Sequence, residues 1–369
     1  MGIYDINGNE LNGGSSSDTP YLSSSSFSRL KQETSFNASK FSLIHEFSAF
    51  ETNYSATSSN PKILDISQET FYQTFYDKYL GTHDNLIVTK KNLGKDQSGK
   101  YDIWCYDFKP YSAKKKVLIT SGMHTYELPA SFGLARWVQE LMESSEEVFA
   151  YLRENVYFSI IPIVNPWGFN QNPKTYGNSR GVNPARNFND WDNVWADFPV
   201  YTPQENEWNV KGDAPFSEAE VRILVNWMKN NTDADFYIDC HTGLGCPRSQ
   251  YGDVWCIYLS DNPLSQRIFT AANALGDRIA TKYGVTPQMH IVTDTPDVIN
   301  QRYSLRVVGI PYMTIEQAQG DDTVYTTAPN NSPIAITEYA TQIHAFVISQ
   351  LQYNAVEQSG WDYEWDATK

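Results

Sequence analysis

Apolar positions occur along this chain in short runs of two kinds, and their alternation predicts a layered α/β molecule. Between Ile66 and Leu80, Phe71, Phe75 and Leu80 follow a helical spacing and predict a helix. Two β-rich runs come next, NLIVTKKNL and KYDIWCYDF, joined by the segment from Gly94 to Gly99, and predict a hairpin. VLITSGMH reads as a strand whose apolar run stops at Gly122; Pro129 then opens a helix with Leu134, Val138, Leu141 and Met142 on one face. YFSIIPIV, residues 157–164, is a further buried strand, ended by the turn signal Asn165-Pro166-Trp167-Gly168.

A long loop follows, to residue 213. Ser217 and Glu220 have the spacing of a capping box, Phe216 and Val221 that of a hydrophobic staple, and Val221, Leu224, Val225 and Met228 form a core-facing stripe. FYIDC leads as a strand to His241. VWCIYLS and IPYMTIEQ are predicted strands, and residues 265–283 and 337–352 are predicted helices. Strands alternating with helices imply an α/β fold with a largely parallel or mixed sheet covered on both faces. Ligands in such sheets bind outside the carboxyl ends of the strands. His124, His241 and Glu316 all fall at or near those ends.

Composition divides the chain. Residues 1–61 carry Ser15 to Ser17 and Ser23 to Ser26 among scattered Asn and Thr, too little apolar surface to offset the entropy of ordering, and are expected to be an arm or linker. Residues 62–355 are expected to form the folded domain, and residues 356–369 an acidic and aromatic tail. With 369 residues, 41% of them hydrophobic, a sizeable core is feasible.

A formal charge of −15 with no basic stripe argues against a nucleic-acid partner. The opening MGIYDINGNELNGG lacks the basic and apolar regions of a signal peptide, and no apolar run is long enough to cross a bilayer. Ile6 stands where a myristoylation signal needs Ser or Thr. A soluble protein with no membrane partner is expected. Cys105, Cys240, Cys246 and Cys256 have no metal-like spacing and read as small buried hydrophobes.

Catalytic zinc takes three protein ligands, commonly His and carboxylate, and keeps one position for water. His124-Thr-Tyr-Glu127 offers two ligands in a turn after a strand, and His241 a third from its own strand end. A His-x-x-Glu alone is weak and arises by chance. Of the six histidines, His45 and His83 lie in polar or turn-like stretches, His290 has no carboxylate at metal-like spacing, and His344 sits on a mostly apolar helix. Glu316, a carboxylate in the apolar strand Met313-Thr-Ile-Glu316, is costly to bury unless paired or functional, and is the candidate general base.

From Ile66 to Leu351 the chain resembles the zinc carboxypeptidase family related to pancreatic carboxypeptidases. Leu93-Gly94 to Tyr101 is similar to that family's hairpin, SGMHTYE to its His-x-x-Glu turn, NPWGF with RGVNPARNF to its substrate-recognition loop, and SEAEVRILVNWMKNNTDADFYIDCH to its helix and strand leading to the third ligand. The resemblance implies a mixed sheet of about eight strands between helices, one Zn²⁺ held by His124, Glu127 and His241, Glu316 as base, and cleavage of a peptide or amide bond near a free carboxylate. It also exposes departures. The family pattern Asp-x-Asn-Arg reads Asn183-Pro184-Ala185-Arg186 here, keeping Arg186 as the carboxylate clamp but losing a side-chain donor at Ala185.

Tyr176 stands where the resemblance implies an oxyanion-stabilising arginine, leaving Arg180 or Lys174 as candidates. Tyr303 or Tyr251 is a loose substitute for the family's mobile tyrosine. Arg302 falls near the position lining the side-chain pocket, implying an acidic substrate group. Three readings stay open: a carboxypeptidase, acting for instance on a cell-wall peptide; a zinc amidase or esterase removing an acyl group; and an inactive binding module. The start MGIYDINGN resembles those of phage or prophage tail proteins, so the arm is a candidate attachment to a particle.

Overall fold

The computed structural model describes residues 3–4, 10–11, 41–47, 66–242 except 173, 190–192 and 208, then 254–258, 289–293, 303–310, 312–317 and 333–352. The predicted helix 265–283, Tyr251, Arg302, Cys246 and the tail 356–369 lie outside the described residues. Among the described residues, nine strands form one sheet: β1 (Gly81–Thr82), β2 (Leu86–Lys95), β3 (Asp102–Pro110), β4 (Lys115–Ser121), β5 (Val156–Ile161), β6 (Phe236–His241), β7 (Val254–Tyr258), β8 (Met289–Thr293) and β9 (Tyr312–Gln317). Their order is β8-β7-β9-β6-β4-β5-β3-β2-β1.

The centre of the sheet is parallel, with β4 pairing β5 and β6, and β6 pairing β9. β1, β2 and β3 add on antiparallel, as does β7 against β9. The sheet is therefore mixed, as expected; the members beyond the predicted strands are the two-residue β1 and the five-residue β8.

Among the described residues, five longer helices flank the sheet: α1 (Gln68–Phe75), α2 (Leu128–Glu143), α3 (Glu147–Asn155), α4 (Ala219–Lys229) and α5 (Pro333–Gln352). One core layer joins the central strands to α1, α2, α3 and α5, through residues such as Phe71, Phe132, Trp137, Ile238 and Phe346; the other joins Leu118, Ile161 and Tyr237 to Val221, Leu224 and Val225 of α4. Two apolar layers on opposite faces explain why β4 and β6 read as continuous apolar runs. Gly133 lets α2 approach α5, since a Cβ there would lie 2.6 Å from the Tyr339 Cβ. That approach matters for the site: the Tyr339 hydroxyl donates to the His241 carbonyl (2.7 Å) and lies 3.1 Å from that of Ile315, joining the ends of β6 and β9.

One local expectation is corrected. Helix α4 begins at Ala219 with Glu218 at its N-cap, so Ser217 and Glu220 make no capping box. Ser217 instead donates to Glu218 Oε1 (2.7 Å) and accepts from Asn187 Nδ2 (3.0 Å), and Glu220 accepts from the Gln97 N–H (3.0 Å) and Asn178 Nδ2 (3.1 Å). Long-range partners outcompete the local pattern. Within the stretch expected as an arm, residues 41–47 pack on the helical layer: Phe47 is buried, Phe41 meets Tyr151, and the His45 carbonyl accepts from Thr341. Their apolar residues Phe41, Leu43, Ile44 and Phe47 carry that contact.

Candidate metal centre

The site grows from the carboxyl ends of β4 and β6. After Ser121 the chain must turn sharply, and Gly122 does so at φ +64°; a Cβ there would sit 3.1 Å from the Ile163 Cα and 3.2 Å from the Pro162 carbonyl oxygen. The turn is locked by main-chain bonds from Val164 N to Ser121 O and from Asn165 N to Gly122 O, both 3.0 Å. It delivers His124 to the sheet edge and Glu127 to the start of α2. The NPWGF turn fastens a neighbouring loop: Asn165 Oδ1 accepts from Gly168 N, its Nδ2 donates to Gly177 O, and Thr125 donates to Thr175 O (2.7 Å).

His124, Glu127 and His241 meet in a buried cluster. His124 Nδ1 lies 2.9 Å from Glu127 Oε1, His241 Nδ1 lies 3.1 Å from Glu127 Oε2, and the two Nδ1 atoms are 3.1 Å apart. The Thr242 N–H donates to Glu127 Oε2 (3.0 Å). On their far sides the rings are held by acceptors. His124 Nε2 faces Asn183 Oδ1 (3.0 Å), which also accepts from Ala185 N, and His241 Nε2 faces Asp239 Oδ2 (3.1 Å). An acceptor opposite each Nε2 assigns the proton to that nitrogen, so in the neutral rings both Nδ1 lone pairs point at the same spot as the Glu127 carboxylate.

Three electron-pair donors aimed at one buried point repel one another unless a cation sits between them. Zinc with bonds of ~2.1 Å in a tetrahedral arrangement sets ligand atoms roughly 3.4 Å apart. The observed separations of 2.9 to 3.1 Å need only a small outward adjustment, so the donor set fits that ion. The electrostatics point the same way. Burial works to raise the Glu127 carboxyl, but His124 and His241 outweigh it and hold it well below the usual range. Burial lowers the His124 imidazole, against a partial offset from Glu127. At His241 burial also works downward, yet the Asp239 and Glu127 carboxylates drive the ring well above its ordinary value.

Glu316 enters by register: it is the Cα partner of His241 across the parallel β9/β6 pair. The other expected residues are distributed differently. Arg180 is committed to carboxylates, its Nη1 donating to the buried Glu218 (3.1 Å) and its Nη2 to Asp213. Lys174, the other oxyanion candidate, donates to the main-chain carbonyls of Ile66 and Phe169. Arg186 donates from Nε to Asn209 Oδ1 (3.0 Å), with its guanidinium over the Phe198 ring. Tyr303 is buried and packs against Phe188 and Phe216.

Tyr176, by contrast, lies flat on the His124 ring, 3.9 Å between centroids and 16° between planes. Asp239 and Asn183, which orient the two histidines, were not expected from the sequence. Asp239 had a signal: in FYIDCH it lies two residues before His241, and alternate strand residues share a face.

A second His and carboxylate cluster, His45 with Glu140 and Glu146, differs in kind. Its two ring nitrogens face separate carboxylates, Nε2 3.9 Å from Glu140 and Nδ1 3.4 Å from Glu146, and Arg136 already neutralises Glu140 (2.6 Å). That arrangement clips residues 41–47 to the helical layer rather than enclosing an ion.

Among solved structures, the fold resembles a carboxypeptidase A from Helicoverpa armigera (16% identity, 86% of this chain and 77% of that one, TM-score 0.57). It also resembles bovine thrombin-activatable fibrinolysis inhibitor (13%, 78% and 94%, 0.55) and a metallo-carboxypeptidase from Burkholderia cenocepacia (16%, 77% and 69%, 0.52). At these identities the likeness concerns the fold. No curated protein matches the sequence. The sequence profile described as zinc carboxypeptidase matches residues 78–361, well over half of the chain. With the same fold and a donor set suited to zinc, the chain belongs to the zinc carboxypeptidase family, a family of metallopeptidases.

Proposed function

We propose that this protein is a one-zinc carboxypeptidase that cleaves a peptide or amide bond near a free carboxylate, with His124, Glu127 and His241 as ligands and Glu316 as general base. The observation that carries the reading is the convergence of both Nδ1 atoms and the Glu127 carboxylate on one buried point, the Nδ1 atoms 3.1 Å apart. Zinc bound there supplies Lewis acidity toward a carbonyl oxygen and lowers the pKa of water. Asn183 and Asp239 keep each ring proton on Nε2, so both Nδ1 lone pairs stay available. Glu316, brought beside His241 by strand register, accepts a proton from water and returns it to the leaving amine.

Arg186 supplies a guanidinium fork for the substrate carboxylate once it turns from Asn209. Arg302, in this reading, favours an acidic substrate group, as in an acidic cell-wall peptide, and the N-terminal arm attaches the enzyme to a phage particle. Loss of hydrolysis with intact particle incorporation on deleting residues 1–61 would oppose that attachment.

A second reading, a zinc amidase or esterase, is favoured by one feature: Ala185 fills the place of a carboxylate-binding side chain and is buried in the α4 core layer. The two separate in one assay, comparing peptides with a free C-terminal carboxylate against their amidated forms. Carboxypeptidase action requires the acid form, and Arg186→Ala then raises KM for it by roughly 10-fold or more, as loss of a charged hydrogen bond does. Equal cleavage of both forms, unchanged in Arg186→Ala, overturns carboxypeptidase specificity and selects the amidase. No cleavage of any form with zinc bound selects the inactive binding module.

A further inference from the structure

The two metal-facing histidines are backed unequally, and the inequality rests on hydrogen bonds independent of the metal. His241 Nε2 faces the Asp239 carboxylate, which is fully buried. Asp239 draws support from both neighbouring strands: Oδ1 accepts from the Thr120 hydroxyl of β4 (2.6 Å), and Oδ2 accepts from the Tyr312 hydroxyl of β9 (2.7 Å). Thr120 is its Cα partner across β4/β6. The Tyr237 hydroxyl adjoins Thr120 at 2.7 Å and extends the network. A carboxylate with its oxygens engaged by hydroxyls and an imidazole N–H remains an acceptor, so it fixes the ring and increases its electron donation.

His124 has a neutral counterpart. Its Nε2 faces Asn183 Oδ1, and that oxygen is shared with the Ala185 N–H at the start of the turn Pro184–Arg186. Its ring is also stacked against Tyr176. One ligand is therefore oriented by charge and the other by shape and a neutral amide.

We infer that Asp239 is a positioning residue for the metal, making His241 the stronger nitrogen donor of the pair and supplying the negative charge that Asn183 does not give to His124. This rests on the zinc reading above. Removing such a partner weakens metal binding about 10–100-fold. A purely structural role, cross-linking β4, β6 and β9 through Thr120 and Tyr312, is the competing explanation, and moving the carboxylate separates the two. Asn183→Asp keeps the acceptor for Ala185 N while placing a charge behind His124.

The test uses the full chain, with zinc affinity measured by chelator competition and the fold of each metal-free protein followed by thermal melting. Asp239→Asn is expected to lose about 10–100-fold in zinc affinity, and Asp239→Asn with Asn183→Asp to recover most of it. Tyr312→Phe, which leaves the carboxylate on His241, is expected to lose far less than Asp239→Asn. Wild-type affinity in Asp239→Asn, or no recovery in the double variant, overturns the inference while leaving the ligand assignment intact. Equal losses in Tyr312→Phe and Asp239→Asn also overturn it, in favour of the cross-link. A wild type that takes up no zinc overturns the metal reading, and this inference with it.

Discussion

His241 and His344 are both sealed from solvent, 3% and 1% exposed, yet the protein drives their rings in opposite directions. His344 lies on α5 in the helical layer, among Phe47, Phe149 and the ring of His45; burial and the nearby His45 lower its pKa from 6.5 to about 3. His241 lies at the strand end, where burial acts in the same downward sense, but Asp239 and Glu127 reverse it. Burial alone makes a histidine a neutral core residue. What sets the strand-end pair apart is an acceptor behind each Nε2 and a shared carboxylate, Glu127, on the Nδ1 side, where the two rings converge. The sum of donors, rather than the presence of His, distinguishes the two regions.

Substitutions sharpen that contrast, the largest effect coming from the strand-end region. Glu316→Gln is expected to keep zinc while lowering kcat by roughly 10²–10⁴-fold, the usual contribution of a general base. Metal content and single-turnover kinetics check this together, and full turnover would remove Glu316 from the mechanism. Gly122→Ala forces a side chain onto a backbone at φ +64° and against Ile163, and is expected to cost about 1–3 kcal/mol by denaturant unfolding. The displaced turn also carries His124, so zinc affinity falls with it; unaltered stability would mean that the turn is less constrained than described.

The helical layer gives the clearest pH signature. The folded His344 resists protonation down to about pH 3, whereas the unfolded ring takes a proton near 6.5. The unfolded state therefore binds more protons in that window, and stability falls as pH drops from 6.5 toward 3, by at most about 1.4 kcal/mol per unit from this group. His344→Leu is expected to keep the fold and flatten that part of the stability profile. An unchanged slope would show that His344 is not the group responsible.

Much of this was legible in the sequence for a definite reason. Strand ends are marked by the switch from an apolar run to Gly122 or to His241, so the turn carrying His124 and Glu127 and the mixed α/β order could be read locally, as could the helix carrying His344. Partners distant in sequence could not. The Ser217 and Glu220 spacing fits a capping box, but Asn187, Gln97 and Asn178 claim those side chains. Nothing local to Arg180, the oxyanion candidate, reveals its contacts with Glu218 and Asp213. Helix α3, nine residues long, has no clear sequence signal, because its buried Phe149 and Leu152 make too short a stripe. Arg302 and Tyr251 remain expectations from the sequence.

In the proposed centre, two imidazoles and one carboxylate meet to hold zinc. Elemental analysis of the purified wild type and of His241→Ala is the most direct test. One zinc per wild-type chain and background zinc in the variant are expected; equal zinc in both, or none in the wild type after zinc loading, would contradict the proposal.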